Sequence, residues 1–211
     1  MFNNPYNKYK EARDAAWRVL IDNDIKELPV PIVQIAKNNG ITIVKDSEAK
    51  MLTPGVSGMS ILENGKWYLV YSDAENAGRR RFTIAHEMGH IFLGHELKGV
   101  HRRTFVCSDT IPQSAELTAP FTQRSQEEKD ADSFAVRLLA PACVLWGLNI
   151  HTAEEIQKVC GLSRAAAEHR AKRMEVLYER NKFLTSTLER RVWENFREWV
   201  KDELKKKHSS K

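Results

Sequence analysis

The tightest constraint in this sequence is a pair of histidines flanking an acid inside an apolar run, Phe82-Thr83-Ile84-Ala85-His86-Glu87-Met88-Gly89-His90-Ile91-Phe92-Leu93. The pattern predicts a helix over 79–97 whose apolar positions turn inward. Two imidazoles and a carboxylate buried together are costly unless something satisfies them. Residues four apart share one face of a helix, so His86 and His90 can both reach one cation with bonds of about 2.0–2.1 Å. Glu87 is offset around the axis, beside that point rather than on it, where its carboxylate can serve as a base. A catalytic zinc takes three protein ligands and leaves one position open. A third ligand is therefore expected elsewhere in the chain.

His95 is the nearest candidate in sequence. The metzincin pattern places Gly three and His six residues after the second histidine, and Leu93 and Glu96 occupy those positions here. His95 is therefore read as a polar residue near the helix end, not as a ligand. The better candidate lies in Glu127-Glu128-Lys129-Asp130-Ala131-Asp132, which opens a second amphipathic helix over 126–140 that Pro141 ends. Glu128 and Asp132 are four apart and face the same way. A ligating Glu followed four residues on by Asp is a gluzincin-like arrangement, in which the Asp holds the outer nitrogen of a ligating His and fixes its tautomer. Glu127 and Asp130 remain rivals for the ligand role, and an acidic helix start is also favoured by the helix dipole alone.

The rest of the chain frames these two helices. Residues 5–23 read as a helix, and Leu28-Pro29-Val30-Pro31 forces an extended turn. A short helix over 32–39 ends at Gly40. Residues 41–44, 56–62 and 66–71 read as strands, with Asn64-Gly65 marking a hairpin between the last two. Residues 98–124 read mostly as loop, with Cys107, His101 and Arg102 inside it. The segments 152–160 and 163–178 read as two helices joined at Gly161, capped by Thr152 and Ser163. A last helix over 181–206 carries the stripe Leu184, Leu188, Val192, Phe196, Trp199/Val200 and Leu204. The expected class is α+β: a small N-terminal sheet, the helix of the His-Glu-x-x-His motif, the helix of Glu128, and C-terminal helices. The expected divisions are 1–145, a helix-turn-helix-like segment at 146–180, and a terminal helix with a basic tail at 181–211.

Two separated segments together resemble the ImmA/IrrE metallopeptidases. They are Arg80-Arg81-Phe82-Thr83-Ile84-Ala85-His86-Glu87-Met88-Gly89-His90, and Glu128-Lys129-Asp130-Ala131-Asp132-Ser133-Phe134-Ala135 with Leu138-Leu139-Ala140-Pro141. Upstream, Leu28-Pro29-Val30, Ile35-Ala36, Gly40-Ile41 and Ser57-Gly58-Met59-Ser60 are also similar to the family. The resemblance covers residues 25–145 and extends more loosely to 178. It implies a zincin-like fold, with zinc held by His86, His90 and Glu128, Glu87 as general base and Asp132 behind a ligand. It also implies a protein substrate: a repressor with a helix-turn-helix domain, whose cleavage derepresses genes of a mobile element or stress response. The segment between His90 and Glu128 is longer than is common in the family.

Composition narrows the alternatives. The net charge is +5 over 211 residues, too mild for a dedicated nucleic-acid binder. Arg164, Arg170, Lys172 and Arg173 would still give the 152–173 segment a basic side, so a weak DNA contact is one reading. A helical hairpin that completes the peptidase core is the favoured one. Three cysteines and no Cys-x-x-Cys pair argue against a disulfide framework. The opening MFNNPYNKYKEARDAAW lacks an apolar signal core, and Arg137 and Pro141 interrupt the greasiest stretch, so a cytoplasmic setting without a membrane span is expected. The leading reading is a site-specific zinc endopeptidase. The alternatives are a DNA- or partner-binding regulator with a vestigial or structural zinc site, and a peptidase of broad specificity. An oxyanion donor is not assignable from spacing; His95, His101, Arg102 and Tyr71 are chemically able.

Overall fold

The computed structural model describes residues 5–95, 102–105 and 125–209. The first helix, α1 (Pro5–Asp22), buries Ala12, Ala16 and Leu20, positions four apart on one face. Leu28 and Val30 lie buried in the proline-rich turn that follows, and α2 (Ile32–Asn38) buries Ile32, Ile35 and Ala36. Strand β1 (Ile41–Lys45) and the short α3 (Asp46–Ala49) lead to β2 (Gly58–Glu63) and β3 (Lys66–Tyr71). The β2–β3 turn has positive φ at both Asn64 and Gly65, the backbone that a two-residue hairpin requires. Residues 102–105, expected to be loop, form β4 (Arg102–Phe105), which pairs antiparallel with β2. The sheet order is β1-β3-β2-β4, with β1 parallel to β3 and β2 antiparallel to it.

The remaining elements are α4 (Ala77–Phe92), α5 (Gln126–Leu139), α6 (Ala142–Gly147), α7 (Ala153–Cys160), α8 (Arg164–Glu179) and α9 (Thr187–Ser209). The class is α+β, as the sequence pattern predicts. α4 starts two residues before the expected boundary because the Asn76 side chain caps the Arg79 amide. It stops five residues before the expected end because Leu93-Gly94 turns the chain (φ of Gly94 is 63°). The short α6 carries no strong periodic signal of its own; it is buried because Cys143, Val144 and Leu145 fill the core beneath α9.

Thr152 caps α7 through a reciprocal capping box with Glu155, and Ser163 caps α8. The turn between them rests on the start of α4: a Cβ on Gly78 would come within 2.4 Å of the Ser163 nitrogen. On α9, Val192, Phe196 and Val200 repeat every four residues and are buried. Trp193 sits against Gly147 and packs edge-on to Trp146, so the terminal aromatics are spent on the domain itself. Burial of a side chain such as Phe134 or Phe196, both wholly inaccessible, contributes about 1.5–3 kcal/mol.

Candidate metal centre

α4 and α5 cross where α4 has no side chain. A Cβ on Gly89 would sit 3.1 Å from the Ala131 Cα and 3.2 Å from the Phe134 ring. The approach is closed further by Phe92 stacked on Phe134, with centroids 5.8 Å apart. It brings the α4 histidines against the first turn of α5, where Ser125 caps the Glu128 amide.

Three side chains converge there. His86 Nε2 lies 3.1 Å from His90 Nε2. Glu128 Oε2 is 3.2 Å from His86 Nε2, and its Oε1 is 3.3 Å from His90 Nε2. One donor atom from each of these residues falls within 4.8 Å of the others, a grouping able to hold a metal ion. His86 is fully buried and His90 is 3% exposed. The outer nitrogens are held as well. His86 Nδ1 meets Asp132 Oδ1 at 2.9 Å, and His90 Nδ1 lies 2.9 Å from His95 Nδ1. Glu87, between the histidines in sequence, is fully buried.

Among the sequence candidates, the structure brings together His86, His90, Glu128 and Asp132. Asp130 accepts instead from Gln126, and neither it nor Glu127 belongs to the three-residue grouping. His95 is not part of that grouping either, but it has a position that spacing did not reveal. Gly94 donates to Ile91 O and His95 donates to His90 O. These two bonds form the Schellman arrangement, which folds His95 back onto the second histidine. A Gly after the last apolar pair was the available signal. Tyr71 packs against the hydrophobic core. His101, Cys107 and the Arg102 side chain lie outside the described residues.

The upstream motifs prove to be ties to α4. Ser57 donates to Glu75, which also pairs with Arg79 at 2.9 Å. Arg81 donates to Val30 O at 2.7 Å, joining the proline-rich turn to the helix.

The electrostatics fit a cation. Burial alone would depress His86, but the bonds to Asp132 and Glu128 and the charge of Glu87 outweigh it and raise it to about 9. Burial would raise Glu128, but the bonds and charges of both histidines hold it well below the usual carboxylate range. The cluster thus retains a proton where none is needed at neutral pH, because its carboxylates favour a positive charge at that point. Two imidazoles and one carboxylate, with outer nitrogens secured, are the donor set of an open zinc site rather than of a hard cation held by oxygen.

A family model, Peptidase_M78, described as the IrrE N-terminal-like domain, matches residues 36–172. The chain belongs to that family and is a metallopeptidase with a His/His/Glu site. The match spans both α4 and α5 and reaches into α8, in line with the resemblance the two motifs carry. No curated protein matches the chain.

Proposed function

We propose that this metallopeptidase is a zinc-dependent endopeptidase that cleaves a specific helix-turn-helix transcriptional repressor in the cytoplasm, derepressing mobile-element or stress-response genes. The observation carrying the enzymatic part is the buried His86–His90–Glu128 grouping with Glu87 beside it. A purely structural metal has no use for an adjacent base. His86, His90 and Glu128 hold the ion, while Asp132 and His95 fix the ring orientations through the outer nitrogens. Zinc, when bound, supplies Lewis acidity toward the scissile carbonyl and makes water more acidic. Glu87 takes the proton from the attacking water and delivers it to the leaving amine.

Several observations favour a peptidase core over a DNA reader at 152–173. Arg170 is 3% exposed and donates to Ala140 O, and Arg173 donates to the Tyr9 hydroxyl. Arg164 pairs with Glu168. These contacts turn Arg170 inward and tie Arg173 to α1, so the expected basic side is not a continuous outward face for a DNA backbone. The cytoplasmic placement is supported by Cys143 and Cys160, both free and buried; burial pushes the Cys160 thiol up to about 12. No helix among the described residues is long and apolar enough to cross a membrane.

The test is incubation of the zinc-loaded protein with the small helix-turn-helix protein encoded beside it. Discrete fragments, absent with a chelator, are expected. An intact repressor together with digestion of casein would replace this reading with a broad-specificity peptidase.

A further inference from the structure

A second cluster of buried charge lies on the far part of α5, away from the metal ligands. A partly open cavity of about 300 Å³ is lined by α1, α5, α8, the segment between α8 and α9, and one residue each of α6 and α9. Its walls carry Arg137, Arg170, Arg173, Arg180 and Lys182. None of these five forms an ion pair with a carboxylate among the described residues. A sixth cation on the wall, Arg13, is already neutralised by Asp14 at 2.8 Å. The one acid on the wall, Glu189, accepts from the Thr185 amide at 2.9 Å.

Two residues that line the cavity also carry buried donors without a partner. Arg170 is 3% exposed, and its Nε has no hydrogen-bond partner. Trp17, 4% exposed and also lining the cavity, has an indole N–H in the same condition. Buried donors of this kind are rare in folded proteins and call for an acceptor. Like charges are crowded as well. Burial first, and then the Arg137 charge, bring the Arg170 guanidinium down to about 10. Tyr9 lies beneath Arg137, 4.1 Å from its guanidinium carbon, so the aromatic face is taken and an anion is the ligand the remaining donors suit.

We propose that this cavity binds a small phosphate-bearing anion, held by Arg137, Arg170 and Arg173, with Arg180 and Lys182 closing over it. Guanidinium forks match phosphate oxygens in pairs, and several of them around one partly open cavity favour a compact, multiply charged oxyanion over a singly charged carboxylate. A neighbouring cavity of about 340 Å³ shares Tyr9, Arg137, Arg170 and Arg173 and continues to Asp132. The anion would therefore sit one cavity away from the residue that holds His86.

The experiment is calorimetric titration of the zinc-loaded protein with inorganic phosphate, at ionic strength fixed with sodium chloride. Arg173 and Arg180 are exposed, so Arg173→Gln/Arg180→Gln should fold, and its melting temperature is checked alongside. Saturable one-site binding at about millimolar phosphate or tighter, weakened about tenfold or more in the double variant, is the expected result. Absence of saturable binding would overturn the proposal. So would binding of equal strength in the double variant, because phosphate would then be reaching the metal rather than the arginines. Neither result bears on whether the protein cleaves a repressor.

Discussion

The two ends of α5 carry opposite imbalances of charge. At its start, Glu128 and Asp132 join Glu87 around the imidazoles of His86 and His90. Near its end, Arg137 joins Arg170 and Arg173 around Tyr9. The helix dipole favours this polarity, acids first and cations last, but its worth is about 0.3–1 kcal/mol and it fades within a turn. An uncompensated buried charge costs several times that. The dipole therefore accounts for neither cluster. The acidic end has a donor set able to meet its cost with a metal ion; at the basic end Arg137, Arg170 and Arg173 form no ion pair with a carboxylate among the described residues. The difference separates a site whose counter-charge is implied by its own donor set from one whose counter-charge must arrive as a ligand.

The comparison is tested most severely at Glu87. Glu87→Gln is expected to lower turnover by roughly 10²–10⁴-fold while zinc content, measured by elemental analysis, stays at one per chain. A variant that cleaves as well as the parent would show that the acid serves the fold and not the reaction.

The next effect is one of pH. In the metal-free protein His86 is raised to about 9, against about 6.5 in the unfolded chain. Below pH 6.5 both states hold the proton, and the stabilising contacts of the imidazolium are fully present. As pH rises through about 9 the folded state releases that proton, and up to roughly 3 kcal/mol of stability is lost with it. Denaturant titrations of the apo protein should show this decline, and zinc-loaded protein should not. Equal apo stability at pH 6 and pH 9 would show that the acidic end does not hold the His86 proton and would remove the contrast between the two ends.

Asp132→Ala should weaken zinc about 10–100-fold, read by competition with a chromogenic chelator, because His86 loses the acceptor for its outer nitrogen. The smallest effect is expected at the basic end. Arg173→Gln should alter stability by no more than about 0.5 kcal/mol. Burial raises the Tyr9 phenol, but the charges of Arg137 and Arg173 more than reverse this and hold it low. The variant should therefore let the phenol rise, as followed by NMR of the Tyr9 ring carbon.

What could be read from the sequence divides along the same line. His86, Glu87 and His90 are local to one helix, as Glu128 and Asp132 are to another, and four-residue spacing exposes each set without knowledge of the fold. Joining the two sets rested on the gluzincin-like spacing of Glu128 and Asp132, with Glu127 and Asp130 still rivals, and the family resemblance then singled out Glu128; the contact at Gly89 and Ala131 itself is long-range and left no local signal. The strands and the hairpin at Asn64-Gly65 were legible from β-branched runs and turn chemistry. β4 was not, because its place depends on β2 as a partner. Nor was α6, whose burial is decided by α9. The arginine cavity was invisible for a stronger reason: Tyr9, Arg137, Arg170 and Lys182 are far apart in sequence, and no periodicity links them. Arg170 and Arg173 even suggested the opposite, an outward basic face.

The crossing of α4 over α5 has a consequence for how such a chain can vary. The two helices are held by their own contact, Gly89 on Ala131 and Phe92 on Phe134. Lengthening a loop costs only about 0.6 kcal/mol for each doubling of its length. Residues added between His90 and Glu128 outside the His95 turn and the paired strand β4 can therefore leave the metal donors in their places. Insertions there are thermodynamically cheap, and they change the chain beside the metal centre without changing the centre itself.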